Sequence, residues 1–185
     1  FKAEKVLDKD SELYSGFASV LVDDQIIDQF YNGEPISLEE DLGACPNEFI
    51  MLVSNANEKK SALARYINPH VPLFKVNEFK EGIWGVRARN KEQAFALDIL
   101  MNPEIPIISL VGRAGCGKTL CAIAAGMEQC LGSKTYNKLI VSRPVQPMGK
   151  DIGFLPGTLE EKMMPWLAPI RDNLEFLMDG DKDTL

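Results

Sequence analysis

The chain has 185 residues, 45% of them hydrophobic, with 27 acidic and 20 basic side chains and a formal net charge of −7. That length admits one domain or two small ones with a sizeable core, and no apolar run approaches the roughly 18 residues of a membrane span. The acidity belongs to the N-terminal part: residues 1–60 hold 13 of the 27 acids and 5 of the 20 bases, which leaves room for a local basic strip further on.

The first five residues, Phe1-Lys2-Ala3-Glu4-Lys5, have no signal-peptide character and read as the start of an excised piece. Gly16 to Val22 suggests a strand. Asp23-Asp24 can cap a short helix with Ile26, Ile27 and Phe30 on its inner face and Asn32-Gly33 as its stop. Glu48 to Val53 reads as another strand, Asn55-Ala56-Asn57 as a turn, and Ser61 to Tyr66 as the returning arm of a hairpin. Val71 to Val76 adds a further strand, and His70, in Asn68-Pro69-His70-Val71-Pro72, reads as a turn residue. Residues 1–80 are therefore expected to form a small β-rich linker module, near the lower size limit for independent folding.

Residues 81–185 read as α/β, with a parallel sheet. Gly82-Ile83-Trp84-Gly85 is a turn carrying a large aromatic, and Asn90 can cap a helix over Lys91 to Leu100, with Ala94, Leu97 and Met101 as its buried stripe. Asn102-Pro103 ends it, and Ile105 to Val111 reads as a buried parallel strand. Gly112-Arg113-Ala114-Gly115-Cys116-Gly117-Lys118-Thr119 then fits the phosphate-loop pattern G-x-x-x-x-G-K-[ST] at every fixed position, and an Ala-rich helix follows from Thr119 to Leu131. The glycines let several backbone N–H groups face one anion, and the helix N-terminus adds its positive dipole end. In this pattern Lys118 bridges the β- and γ-phosphates of a nucleotide and the Thr119 hydroxyl holds a magnesium ion, so ATP and Mg2+ are the expected ligands of Gly112 through Leu120. The alternative is an ordinary glycine turn after a strand, which the Lys-Thr pair and both flanks argue against.

Lys138 to Ser142 reads as a second buried strand, stopped by Arg143-Pro144. A long loop passes through Gly149, Gly153, Pro156 and Gly157, and Thr158 with Glu161 makes a capping box for the next helix. Pro165 is expected to interrupt it. Trp166 to Met178 then forms a last helix, with Trp166, Leu167, Ile170, Leu174 and Leu177 as a stripe for core or oligomer packing. Gly180 to Leu185 is polar and reads as a cut loop.

The four cysteines, Cys45, Cys116, Cys121 and Cys130, form no C-x-x-C pair and lie far in sequence from His70, the one histidine. A zinc site is not indicated, and the thiols read as reduced, as in the cytoplasm.

Trp84 to Met178 resembles the PhoH family of P-loop ATPases. The residues that carry this are Gly85-Val86-Arg87-Ala88-Arg89-Asn90-Lys91-Glu92-Gln93, the phosphate loop, Val141-Ser142-Arg143-Pro144-Val145 and Gly149-Lys150-Asp151-Ile152-Gly153-Phe154-Leu155-Pro156-Gly157. Tyr14-Ser15-Gly16 and Pro46-Asn47-Glu48-Phe49 resemble, less specifically, the region that joins an RNase-like PIN domain to the ATPase in longer members. The resemblance implies a core like that of superfamily 1 helicases, ATP hydrolysis coupled to RNA unwinding and cleavage, and ring-shaped homo-oligomers. It also implies that Gln93 reads adenine, although Asn90-Lys91-Glu92-Gln93 is equally a capping box, and the two residues can share both roles. The resemblance further implies that Arg143 and Lys150 take the position that faces single-stranded nucleic acid in superfamily 1 enzymes, against the alternative of exposed charges on a proline-shaped loop. Trp84 is expected chiefly to pack, with base stacking as the alternative. Arg87 and Arg89 either reach phosphate or a neighbouring subunit or form a solvated pair.

Two departures qualify the resemblance. Neither a PIN-like sequence nor an apolar strand ending in Asp-Glu after the phosphate loop is found within these residues. Nucleotide binding without efficient turnover is therefore the expectation for residues 1–185 taken alone. A small-molecule kinase or a nucleotide-gated switch, with no nucleic-acid activity, is the competing reading of the same loop.

Overall fold

The computed structural model describes residues 4–6, 16–37, 43–142 and 159–179. The chain divides into two compact units, Phe1–Asn77 and Glu78–Leu185.

In the first unit, strand β1 (Glu4–Val6) is followed by β2 (Phe17–Val22), helix α1 (Asp24–Tyr31), β3 (Phe49–Ser54), β4 (Ser61–Arg65) and β5 (Phe74–Lys75). They form one five-stranded sheet in the order β1-β2-β3-β4-β5. The β2–β3 pair is parallel, with Phe17 opposite Phe49 and Val22 opposite Ser54, and the other pairs are antiparallel. Parallel neighbours need a crossover, and α1 supplies it.

Side chains alternate across a strand, so one residue in two faces the helix. Ala18, Val20 and Val22, then Ile50 and Leu52, then Ala62 and Ala64, are all buried in one cluster with Ile27 and Phe30 of α1. Ile36, Tyr66 and Leu73 close the same cluster. The strands and helix expected from Gly16 to Tyr66 thus form, while Val71 to Val76 shortens to the two-residue β5.

The acids at the start of α1 do something other than cap it. Asp23 occupies the cap position without a side-chain cap hydrogen bond. Its carboxylate instead accepts from Asn55 Nδ2 at 2.6 Å. Asp24 accepts from the hydroxyl of fully buried Ser54 and pairs with Lys60 Nζ at 3.3 Å, and Lys60 also reaches Asp28 at 2.8 Å. Ser54 Oγ in turn accepts from the amides of Ala56 and Asn57 at 3.0 and 2.9 Å. These contacts tie the helix start to the β3–β4 turn.

In the second unit, α2 (Lys91–Leu100), α3 (Lys118–Met127) and α4 (Leu159–Asp179) carry the structure, and a π-helical turn, Glu128–Gly132, extends α3. Ile83, Val86, Leu97, Cys121, Ile123, Ala124, Met127 and Leu177 form their shared core, with Trp84, Leu100, Met101, Leu120, Ile170 and Leu174 packed against it. On α2, Phe95, Leu97 and Asp98 are the buried residues, while Ala94 is half-buried.

Three expectations change here. Ile105 to Val111 and Lys138 to Ser142 form no strand, and Ile107, Val111 and Ile140 are 85%, 95% and 76% exposed. A strand gains its ladder hydrogen bonds only from a paired neighbour, and among the described residues no segment pairs with either one as a strand. The fold is mixed α/β, consistent with a partial P-loop core behind a small β-rich module, but the parallel pairing lies between β2 and β3 rather than beside the phosphate loop. Finally, Pro165 does not split the last helix, because α4 runs unbroken through it. An internal proline costs a helix about 3 kcal/mol, and the Ile170, Leu174 and Leu177 face, packed on the core, offsets it.

Candidate nucleotide-binding site

Gly112 to Thr119 form the tight turn that opens α3. Gly115 and Gly117 have φ of +79° and +87°, a region costly for any residue with a Cβ. Gly112 packs closely instead, since a Cβ there would lie 3.2 Å from Cys116 Sγ and the thiol would have to shift slightly. Gly112 to Cys116 are exposed, and so is Thr119, the residue expected at magnesium. Leu120 is half-buried against the core and roots the first turn of α3.

Among the described residues, nothing accepts a hydrogen bond from the backbone amides of Arg113 to Lys118. The first bond of the helix ladder is the one from Cys121 N to Gly117 O, at 2.9 Å. Lys118 Nζ donates to the carbonyls of Gly112 at 2.9 Å and Arg113 at 2.6 Å, and lies 3.4 Å from Cys116 Sγ. The ammonium group thus lies over the turn, beside amides that have no acceptor among the described residues. Open amides, glycine at three positions of the turn and one cation fit the phosphates of a nucleotide. Cys121, buried one helical turn further on, has its thiol pushed up by burial and then by the neighbouring Cys116.

Gln93 lies against this turn, and Asn90 holds its backbone. Asn90 caps α2, its Oδ1 accepting from Gln93 N at 2.9 Å. Gln93 Oε1 accepts from Arg89 N at 2.8 Å, and Gln93 Nε2 donates to Cys116 O at 3.2 Å. A Cβ on Gly117 would stand 3.0 Å from the same Nε2. The capping box is therefore present in a shifted form, reaching the amide of Arg89. The contact with the loop could not be read from spacing, because 23 residues separate its partners.

Trp84 sits at the tip of a two-residue hairpin closed by reciprocal 2.9 Å bonds between Ile83 and Val86. Its φ of +49° and that of Gly85, +73°, are those of a type I′ turn, and its indole packs on the core of the second unit. The Arg87 guanidinium approaches Glu81 at 3.9 Å, both side chains exposed, and the Arg89 side chain is exposed as well. Arg143 and Lys150, the candidate nucleic-acid contacts, lie outside the described residues, as do Thr158 and Phe154. No helix among the described residues is long and apolar enough to cross a membrane.

Comparison with known proteins adds to this geometry. The model of the family described as PhoH-like protein matches residues 85–184. The chain is 40% identical over 184 residues to Protein PhoH2 of Bacillus subtilis (strain 168), an alignment covering 98% of this chain and 41% of that protein. It is 36% identical over 162 residues to Protein PhoH2 of Thermobispora bispora, covering 87% of this chain and 36% of that protein. Protein PhoH of Escherichia coli (strain K12) is 37% identical over 89 residues, covering 48% and 24% respectively. The chain thus spans about two-fifths of the length of the first two relatives. No solved structure matches.

Proposed function

The chain belongs to the PhoH-like protein family, and from that premise we propose that it is the nucleotide-binding part of an ATPase that acts on single-stranded RNA. Gly112, Arg113, Ala114, Gly115, Cys116, Gly117, Lys118, Thr119 and Leu120 hold the phosphates, with Asn90 and Gln93 completing the site behind them. The observation that carries this reading is the turn itself: unpartnered amides from Arg113 to Lys118 under the Lys118 ammonium.

Lys118 acts by exchange. A phosphate oxygen takes the place of the Gly112 and Arg113 carbonyls on Nζ, and a full negative charge is a stronger acceptor than a neutral carbonyl. The amides then neutralise the remaining oxygens without reorganising, because no described residue has to release them. Thr119, exposed at the first turn of α3, would supply the protein hydroxyl to Mg2+, which would offset the phosphate charge there. Water is the acceptor, and ADP and inorganic phosphate are the products.

The RNA part rests on the sequence of the Arg143 to Gly157 stretch. Arg143 and Lys150 neutralise phosphates of the strand. In the full-length protein ATP hydrolysis drives RNA unwinding coupled to cleavage, in a homo-oligomeric ring in the cytoplasm.

The test uses the intact protein with ATP and Mg2+, with and without single-stranded RNA, at two salt concentrations. Release of inorganic phosphate, increased by RNA and less so at high salt, is the expected result. Hydrolysis unmoved by RNA would overturn the RNA reading. A phosphorylated metabolite in place of inorganic phosphate would make the protein a kinase.

A further inference from the structure

We propose that Gln93 is a positioning residue of the phosphate loop: it fixes the peptide between Cys116 and Gly117 and so aims the Gly117 amide at the anion. The inference rests on the phosphate-binding reading above and gives Gln93 a role that does not involve the base.

Two features of one contact meet at this residue. The first is the bridge. The two ends of one side-chain amide are held by two backbone groups from separate segments, Arg89 N at 2.8 Å ahead of α2 and Cys116 O at 3.2 Å in the loop. The backbone of Gln93 is itself tied down, since its N–H is the one capped by Asn90 at 2.9 Å. A side chain anchored at its root and at both ends of its head group is a strut between α2 and the loop. The second feature is the close approach. A Cβ on Gly117 would come within 3.0 Å of Gln93 Nε2, so the loop rests against the amide at a position that has φ of +87° and no side chain.

The consequence follows from peptide geometry. In a trans peptide the C=O and the next N–H point in opposite directions across a rigid plane. Holding the Cys116 carbonyl on Gln93 therefore turns the Gly117 N–H away from Gln93. That N–H is one of the amides with no acceptor among the described residues. Both peptides flanking Gly117 are soft, because a glycine rotates where other residues cannot. Gln93 removes that freedom before the ligand arrives, and preorganised donors bind an anion more tightly than donors that must be turned.

A base reader and a loop strut predict different losses. The probes are ATP, GTP and inorganic tripolyphosphate, titrated with Mg2+ into the intact protein and into its Gln93→Met and Gln93→Glu variants. Met keeps the length and removes both polar groups. Glu keeps an acceptor for Arg89 N–H but sets a carboxylate against the Cys116 carbonyl. For a strut, Gln93→Met weakens all three probes by the same factor, about three- to tenfold, Gln93→Glu weakens them further, and the ATP-to-GTP ratio stays at its wild-type value. For a base reader, tripolyphosphate is untouched, and the carboxylate shifts preference towards GTP, whose guanine offers two adjacent donors. That pattern, or unchanged affinity for all three, overturns the proposal. A wild-type protein that takes up none of the three overturns the phosphate site itself, whereas wild-type binding that both variants retain overturns only the role of Gln93.

Discussion

The two units treat runs of strand-forming residues in opposite ways. In the first, Phe17–Val22 and Phe49–Ser54 pair in register, and every second residue goes under α1. In the second, Ile105 to Val111 and Lys138 to Ser142 are as apolar and β-branched, yet they form no ladder, and Ile107 and Val111 stand 85% and 95% exposed. Hydrophobic pattern sets what a segment is able to become. The presence of a neighbouring edge decides whether it does. The first unit finds its edges within its own residues, and the helical part of the second finds its core in the same way, through α2, α3 and α4.

The phosphate turn is the exception within the second unit, because its shape depends on glycine dihedrals and a helix start rather than on a sheet. That independence makes Lys118→Ala the variant with the largest expected effect. Removing the cation should cost on the order of 2–5 kcal/mol of ATP binding, measured by titration calorimetry on the intact protein. The fold has no stake in the side chain beyond two carbonyls and the Cys116 thiol of its own turn, so the thermal midpoint should stay near that of the wild type. An equal loss of stability would mean that the ammonium holds the turn together instead of serving a ligand.

Leu52→Ala probes the opposite case. Leu52 is fully buried in the middle of β3, among Val20, Ala62 and Ile27. Its truncation should destabilise the protein by about 2–5 kcal/mol in denaturant unfolding. Ile107→Ala, removing a side chain that is 85% exposed, should change stability by less than about 0.5 kcal/mol. A comparable cost at Ile107 would show that this segment is covered in the intact protein.

The Asp24 cluster gives a smaller effect that is read through pH. The Ser54 hydroxyl, helped by Lys60, holds the Asp24 carboxyl below its ordinary 3.8, while Asp28 and then Asp24 hold the Lys60 ammonium above its ordinary 10.5. Asp24 binds its proton less tightly folded than unfolded, so its contribution is complete above pH 3.8 and is lost as pH falls through the folded value. Lys60 runs the other way: its contribution is complete below pH 10.5 and is lost as pH rises through the folded value. Ser54→Ala should return the Asp24 titration towards the ordinary range, followed by the carboxyl carbon shift in NMR. An Asp24 that titrates unchanged in that variant would remove Ser54 as the cause.

Much of this was legible in the sequence, and the rest was not for reasons that differ by residue. The phosphate turn was readable because local dihedral demands dictate glycine at fixed spacing. The alternation of β2 to β4 was readable because burial on one face leaves a period of two. The Gln93 contact with Cys116 was not readable, since Gln93 already satisfies a local capping pattern and nothing local marks a second partner 23 residues away. The unbroken α4 was not readable either, because the proline rule is local and the packing that overrides it is not.

Gly126 carries the smallest expected effect, and it bears on how firmly the second bare segment is held. A Cβ on Gly126 of α3 would lie 2.7 Å from Leu139 Cδ1 and 3.3 Å from its Cδ2, while Cγ stays at an ordinary 3.6 Å. Leu139, 37% exposed, is therefore a point where Lys138 to Ser142 approaches α3. The clash in Gly126→Ala falls on the far end of a flexible side chain, which can rotate away at the cost of part of its contact. Against that loss stands the helix preference for Ala over Gly, about 1 kcal/mol. The two terms nearly cancel, so stability should stay within about 1 kcal/mol of the wild type, while the Leu139 methyl resonances move. A loss beyond about 2 kcal/mol would mean that Leu139 has nowhere to go. The segment would then be fixed against α3 as firmly as a paired strand, and the contrast between the two units would lie in missing hydrogen bonds alone.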